Sequence, residues 1–155
     1  MGADLVIKNG VVCTENGMFK GGLAVKDGII QALGDDGSLP PADKIYDAKG
    51  NFIFPGIIEM HSHLGLDRQT PDCYARDLET ETKAAAQGGI TTVCTTTLYG
   101  DETMSDLLDS VLPNIKNLYS NIKFTATPGR EDHIAEQRTM FERGSVAYKY
   151  MLVYR

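Results

Sequence analysis

Phe52-Ile53-Phe54-Pro55-Gly56-Ile57-Ile58-Glu59-Met60-His61-Ser62-His63 is the stretch on which the reading of the fold turns. Its apolar residues read as a short strand around Pro55-Gly56, and two histidines stand at the strand's end. In an extended chain residues i and i+2 point to the same face. His61 and His63 therefore offer two imidazoles side by side, and two imidazoles can grip one metal ion such as zinc. Their position strengthens the reading, because ligands in α/β folds collect at the carboxyl ends of strands.

The texture differs on either side of this stretch. Residues 4–50 read as short strands joined by tight turns at Asn9-Gly10, Asn16-Gly17 and Asp27-Gly28, dipeptides that favour the positive φ of two-residue hairpins. They predict a small antiparallel β unit, closed by the loop Leu39-Pro40-Pro41. Downstream, residues 72–87 read as a helix stopped by Gly88-Gly89. Ile90 to Thr97 is rich in β-branched residues and reads as a strand. Leu107, Leu108, Val111, Leu112, Ile115 and Leu118 recur at helical spacing, with Pro113 inside the pattern as a kink or split. Ile122 to Thr127 and Val146 to Val153 read as two further strands, separated by a helix over 131–142. The order β-α-β-α-β-α-β implies a parallel sheet. A doubly wound sheet and the first half of a (β/α)8 barrel both fit it.

Lys149 falls in the middle of the last apolar strand, Gly144 to Met151. Burying an ammonium without a partner is costly. Either Lys149 reaches solvent or a carboxylate, or the neutral amine is used chemically, for example by taking up carbon dioxide as an anionic carbamate.

Composition narrows the function classes. The 155 residues carry 21 acidic against 15 basic side chains, a formal charge of −6, which argues against a nucleic-acid or anionic-membrane partner. The 42% apolar and 23% charged content is that of a globular chain. No apolar run approaches a membrane span, and the start carries no apolar signal segment. Cys13, Cys73 and Cys94 are odd in number and form no C-x-x-C, so reduced thiols in a cytoplasmic protein are expected. A small doubly wound binding module is disfavoured by the lack of a G-x-G-x-x-G or P-loop motif.

Three ordered blocks resemble the cyclic amidohydrolases, the hydantoinase, dihydropyrimidinase and allantoinase group. Phe54 to His63 resembles their P-G-x-I-D-x-H-x-H opening, Lys83 to Thr92 their next block, and Gly144 to Tyr154 their strand G-x-x-S-x-K-x-F-M-x-Y. The resemblance implies small N-terminal β-sandwich strands over residues 1–51. Over residues 52–155 it implies the first half of a metal-dependent (β/α)8 barrel, with four strands and three helices. It implies that His61 and His63 bind the more buried of two divalent metal ions, zinc by preference. It also implies that Lys149 is carboxylated and bridges both metals. Tyr154 matches a tyrosine that holds the substrate carbonyl as oxyanion charge develops. The implied activity is hydrolysis of a cyclic amide (a hydantoin, dihydropyrimidine or related ureide) by a cytoplasmic homo-oligomer.

Two departures bear on this. Glu59 stands where the family often has Asp, which alters a group behind the ligands more than a ligand. Gly65 stands where dihydroorotases carry Arg, and Arg68 is out of register, which lowers the dihydroorotase alternative. The other alternative is a non-catalytic scaffold or partner subunit, and such relatives tend to lose ligands that are present here. His133, just after Pro128-Gly129, matches no ligand position and reads as a surface histidine at a helix start. A full barrel needs about 250 residues. The sequence is accordingly expected to be the N-terminal portion of a larger enzyme and to lack appreciable turnover alone. Two further His ligands and an Asp that serves as ligand and general base are expected beyond Arg155.

Overall fold

The computed structural model describes residues 2–64, 71–98 and 100–151. The chain divides into two compact units, Met1–Pro55 and Gly56–Arg155.

The first unit is one mixed sheet of five strands: β1 (Ala3–Thr14), β2 (Gly17–Lys26), β3 (Ile29–Gly34), β4 (Ala42–Asp47) and β5 (Phe52–Ile53). The order is β3-β2-β1-β4, with β5 also on β1. The Asn16-Gly17 and Asp27-Gly28 signals do mark hairpin turns, and Asp27 and Gly28 have φ of 50° and 76°. Asn9-Gly10 does not. It lies inside the single strand β1, where the register slips between Ile7 and Gly10 and Asn9 takes a φ of 57°. Asparagine tolerates that left-handed geometry, so the signal produces a bulge rather than a reversal. A Cβ on Gly10 would sit 2.4 Å from the Ile53 side chain, so its absence lets β5 lie against β1. The expected antiparallel pattern holds for β1 to β3 only. β4 and β5 run parallel to β1 because the chain returns through the 3-10 turn Asp36–Ser38 and the Leu39-Pro40-Pro41 loop before pairing.

The stretch read as one apolar strand in fact serves two sheets. Phe52 and Ile53 pair with Val11 and Val12, whereas β6 (Ile57–Ser62) opens the second sheet. Pro55 has no N–H to give a ladder, and the strand breaks there. A Cβ on Gly56 would lie 2.2 Å from Thr91 Oγ1, so only glycine allows this approach to the next strand.

The second unit is a four-stranded parallel sheet, β6, β7 (Ile90–Leu98), β8 (Asn121–Ala126) and β9 (Ser145–Tyr148), in sequential order. Its connections contain α1 (Pro71–Gln87), α2 (Met104–Val111), α3 (Glu131–Ala135) and α4 (Gln137–Glu142). α2 ends before Pro113, which sits in a 3-10 turn over Leu112–Asn114. The single helix expected over 131–142 is two, broken at Glu136, whose ψ is −1°. Leu78 of α1, Met104, Leu107, Leu108 and Val111 of α2, and Met140 of α4 share one buried cluster with Phe124 and Ala126 of β8. These helices thus pack on one face of the sheet. A doubly wound sheet would reverse its strand order and place helices on both faces. Sequential order with helices on one face is the arrangement of a curling (β/α) barrel. Ile57, Ile58 and Met60 of edge strand β6 and Val146 of edge strand β9 are exposed. No helix among the described residues is long and apolar enough to cross a membrane.

Glu136 ties two of these helices together. Its carboxylate accepts the N–H groups of Met104 and Ser105, at 2.9 and 3.1 Å, at the start of α2. Thr103 caps the same turn by accepting from the Asp106 N–H. Burial raises the Glu136 pKa, but the hydrogen bonds from the Met104 backbone and from the Ser105 side chain and backbone, with the His133 charge, outweigh it and leave the carboxyl below its ordinary value. Its contribution is therefore present above the ordinary carboxyl range and is lost as pH falls through the lowered value. Glu136→Ala should cost about 1 kcal/mol in urea unfolding at neutral pH. Glu136→Gln should give a shallower acid-side loss of stability than the parent.

Candidate metal centre

His61 is the fifth residue of β6, His63 is one residue beyond its end, and Lys149 is one residue beyond β9. The sequence reading set Lys149 in mid-strand. In the structure β9 ends at Tyr148, and the Lys149 N–H donates to Ala126 O at 2.8 Å. Its side chain is half-buried rather than enclosed. These residues belong to the two edge strands of the sheet. Side chains standing on a flat four-stranded sheet would be about 14 Å apart across its three strand spacings. Lys149 Nζ is instead 3.4 Å from His61 Nε2. The carboxyl end of the sheet therefore curls, and the curl brings the first and fourth strands to one point.

The two imidazoles meet edge to face, with centroids 5.0 Å apart and planes at 83°. His63 is exposed, yet some loss of hydration, and then the charges of Lys149 and His61, lower its pKa from the ordinary value and favour the neutral ring. A neutral imidazole is the ligand form.

Hydroxyls of the neighbouring strand fix the H-x-H segment. Ser62 Oγ donates to Cys94 O at 3.1 Å. The Leu64 N–H donates to Thr95 Oγ1 at 3.0 Å, and that hydroxyl donates back to Leu64 O at 3.3 Å. Thr96 Oγ1 donates to Ser62 O at 3.1 Å and lies 3.2 Å from His63 Nδ1. Thr95 and Thr96 are 0% and 2% exposed, so these are enclosed bonds. Behind the ligands, Glu59 Oε1 accepts the His61 N–H at 2.9 Å. Cys94 is buried and its thiol is pushed up in pKa, first by that burial. It is accordingly a packing residue beside the site and not a thiolate ligand.

The chemistry of this donor set fits a metal. Two neutral imidazoles and an amine that can become a carbamate make a nitrogen and oxygen set suited to zinc or a similar divalent ion. No cluster of three or more His, Cys, Asp or Glu side chains converges among the described residues, where the nitrogen donors brought together are those of His61, His63 and Lys149. Tyr154, Gly65 and Arg68 lie outside the described residues.

His133 corrects the sequence reading. It is fully buried, not on the surface, because Nδ1 accepts the Gly129 N–H at 3.2 Å and folds the ring beneath the Pro128-Gly129 turn. The sequence reading also passed over Ser62, Thr95 and Thr96. The available signal was the pair Thr95-Thr96 within an apolar strand, since buried hydroxyls need partners.

The chain is similar to several known proteins. The D-hydantoinase of Ralstonia pickettii is 41% identical over 93 residues, 58% of this chain and 19% of that protein. The allantoinase of Escherichia coli O1:K1 / APEC is 42% identical over 93 residues, 60% of this chain and 19% of that protein. The solved L-hydantoinase (dihydropyrimidinase) from Arthrobacter aurescens matches with a TM-score of 0.74 at 27% identity, covering 94% of this chain and 32% of that one. The chain thus spans between 19% and 32% of the length of these relatives. Residues 52–150, which include both histidines and Lys149, match the model of the Amidohydrolase family. The chain belongs to the amidohydrolase family.

Proposed function

We propose that this chain supplies part of the metal centre of a cyclic amidohydrolase that opens the ring of a hydantoin, a dihydropyrimidine or a related cyclic ureide. The observation that carries the proposal is the convergence of His61, His63 and Lys149 at the carboxyl ends of the first and fourth parallel strands, with 3.4 Å between His61 Nε2 and Lys149 Nζ. A scaffold has no use for a nitrogen cluster held by this many buried hydroxyl bonds, so the geometry favours a catalyst. The ring class rests on relatives named for hydantoins and allantoin, which are five-membered rings, and for dihydropyrimidines, which are six-membered, all carrying a ureide. A cytoplasmic location and a homo-oligomeric state belong to the same reading.

In this proposal His61 and His63 hold one divalent ion, zinc by preference. The neutral Lys149 amine would add to carbon dioxide: an N–C bond would form as one C–O π bond opens, the nitrogen would lose one proton to water, and the resulting carbamate would add anionic oxygen donors to the two imidazoles. Bound divalent ions supply Lewis acidity toward the ring carbonyl and a hydroxide near neutral pH. Tyr154 donates its phenol proton in a hydrogen bond to the carbonyl oxygen as negative charge develops there. Glu59 keeps the His61 backbone in place through its 2.9 Å bond.

The test is incubation of the full-length protein with a divalent metal and hydantoin, allantoin and dihydrouracil in turn. Opening of at least one ring to its carbamoyl acid, lost on chelation and restored by metal, is the expected result. Inertness toward all three with metal bound would refute it. In the same protein His61→Ala should lower metal content by one ion per chain in elemental analysis, whereas full metal content would remove His61 from the ligand set.

A further inference from the structure

Thr96 is a buried residue whose hydroxyl has one hydrogen and two partners. The partners are the carbonyl oxygen of Ser62 at 3.1 Å and Nδ1 of His63 at 3.2 Å. A carbonyl oxygen can only accept, so both contacts are hydrogen bonds at once only if the hydroxyl hydrogen goes to Ser62 O. The remaining lone pair of Oγ1 then faces His63 Nδ1, and a hydrogen bond forms there only if Nδ1 carries the proton. A neutral imidazole has one N–H and one bare nitrogen. With the proton at Nδ1, the bare nitrogen is Nε2. Thr96 is 2% exposed, so water does not supply its hydroxyl with an alternative partner, although the His63 residue itself is exposed.

We propose that Thr96 is a positioning residue that fixes His63 in its Nδ1–H tautomer and so reserves Nε2 as the metal-binding nitrogen. The inference rests on the metal-centre reading above but makes a claim about the metal-free protein. The ring is oriented and its lone pair exposed before any ion arrives. Three features make the device specific. The strand pair β6 and β7 sets the distance, because Ser62 and Thr95 are register partners and Thr96 follows. Ser62 is tied back through its own hydroxyl to Cys94 O, which fixes the carbonyl that takes the Thr96 proton. Leu64, on the other side of His63, is clamped by Thr95 through two bonds. The backbone on both sides of His63 is thereby held, and the ring has a single hydroxyl to answer to. Partners of this kind behind a metal-bound imidazole set its tautomer, and their loss typically lowers metal affinity by about 10- to 100-fold.

The experiment is nitrogen NMR of histidine-labelled full-length protein after chelation, together with a zinc titration. His63 of the parent should show a protonated Nδ1 and a bare Nε2. Thr96→Val keeps the shape and removes the hydroxyl. It should release the tautomer toward Nε2–H and weaken zinc by about 10- to 100-fold. Thr96→Ser keeps the hydroxyl and should restore both readouts, which a purely packing role of the threonine methyl would not. A parent His63 with Nε2–H overturns the proposal. So does a Thr96→Val protein with unchanged tautomer and unchanged zinc affinity. If Thr96→Val does not fold, the parent tautomer and the Thr96→Ser pair still decide the question. The tautomer is read without metal or substrate. Failure of ring hydrolysis with an Nδ1–H His63 therefore counts against the hydrolase reading, and an active enzyme with an Nε2–H His63 counts against this one.

Discussion

The candidate metal centre depends on the curl of one small parallel sheet. Its four strands run in sequential order, and the helices that connect them contribute to a single apolar cluster on one face. Right-handed crossovers and the intrinsic twist of parallel strands close such a sheet toward a barrel. Without the curl, His61 and Lys149 would stand at opposite edges, about 14 Å apart. With it, 3.4 Å separates their nitrogen atoms. Chemistry that neither strand carries alone follows from that closure.

A second layer of constraint comes from hydroxyls. A strand rich in threonine is a weak packer compared with valine or isoleucine, and each buried hydroxyl left unpaired costs about 1–3 kcal/mol. β7 nevertheless buries Thr95 and Thr96 side by side, and their hydroxyls bond the backbone at and just beyond the end of β6, at Ser62 O and Leu64 O. These bonds hold the segment that carries the imidazoles. The free energy of satisfying β7 is thus coupled to the geometry of the site on β6. Glu136 plays a comparable part farther out, where it holds the start of α2 against the α3–α4 corner and so keeps the helical face of the sheet together.

Much of this was legible in the sequence, for physical reasons. The alternation of apolar strands and amphipathic helices depends on local periodicity, and the structure reproduces that order. His61 and His63 lie on one side because of the two-residue period of an extended chain, a purely local fact. Long-range facts were less legible. Asn9-Gly10 carries the dipeptide of a hairpin turn, but β2, β4 and β5 all pair with β1 and hold it as one bulged strand. Phe52 and Ile57 look continuous in sequence, yet Pro55-Gly56 divides them between two sheets. His133 reads as a surface residue until the Gly129 N–H is seen to fold it inward. Thr96 reads as a β-former because its partners come from another strand. Lys149 drew attention through its apolar neighbours, although the structure leaves it half-buried beyond the strand end.

The most direct measurement of the central claim is a metal-edge anomalous difference map from crystals of the full-length protein grown with zinc and bicarbonate. The account predicts a peak about 2.0–2.1 Å from an imidazole nitrogen of both His61 and His63, with carbamate density continuous from Lys149 Nζ into the same coordination shell. A peak away from these residues, or metal bound by the histidines with Lys149 turned out of the shell as a bare amine, would contradict it.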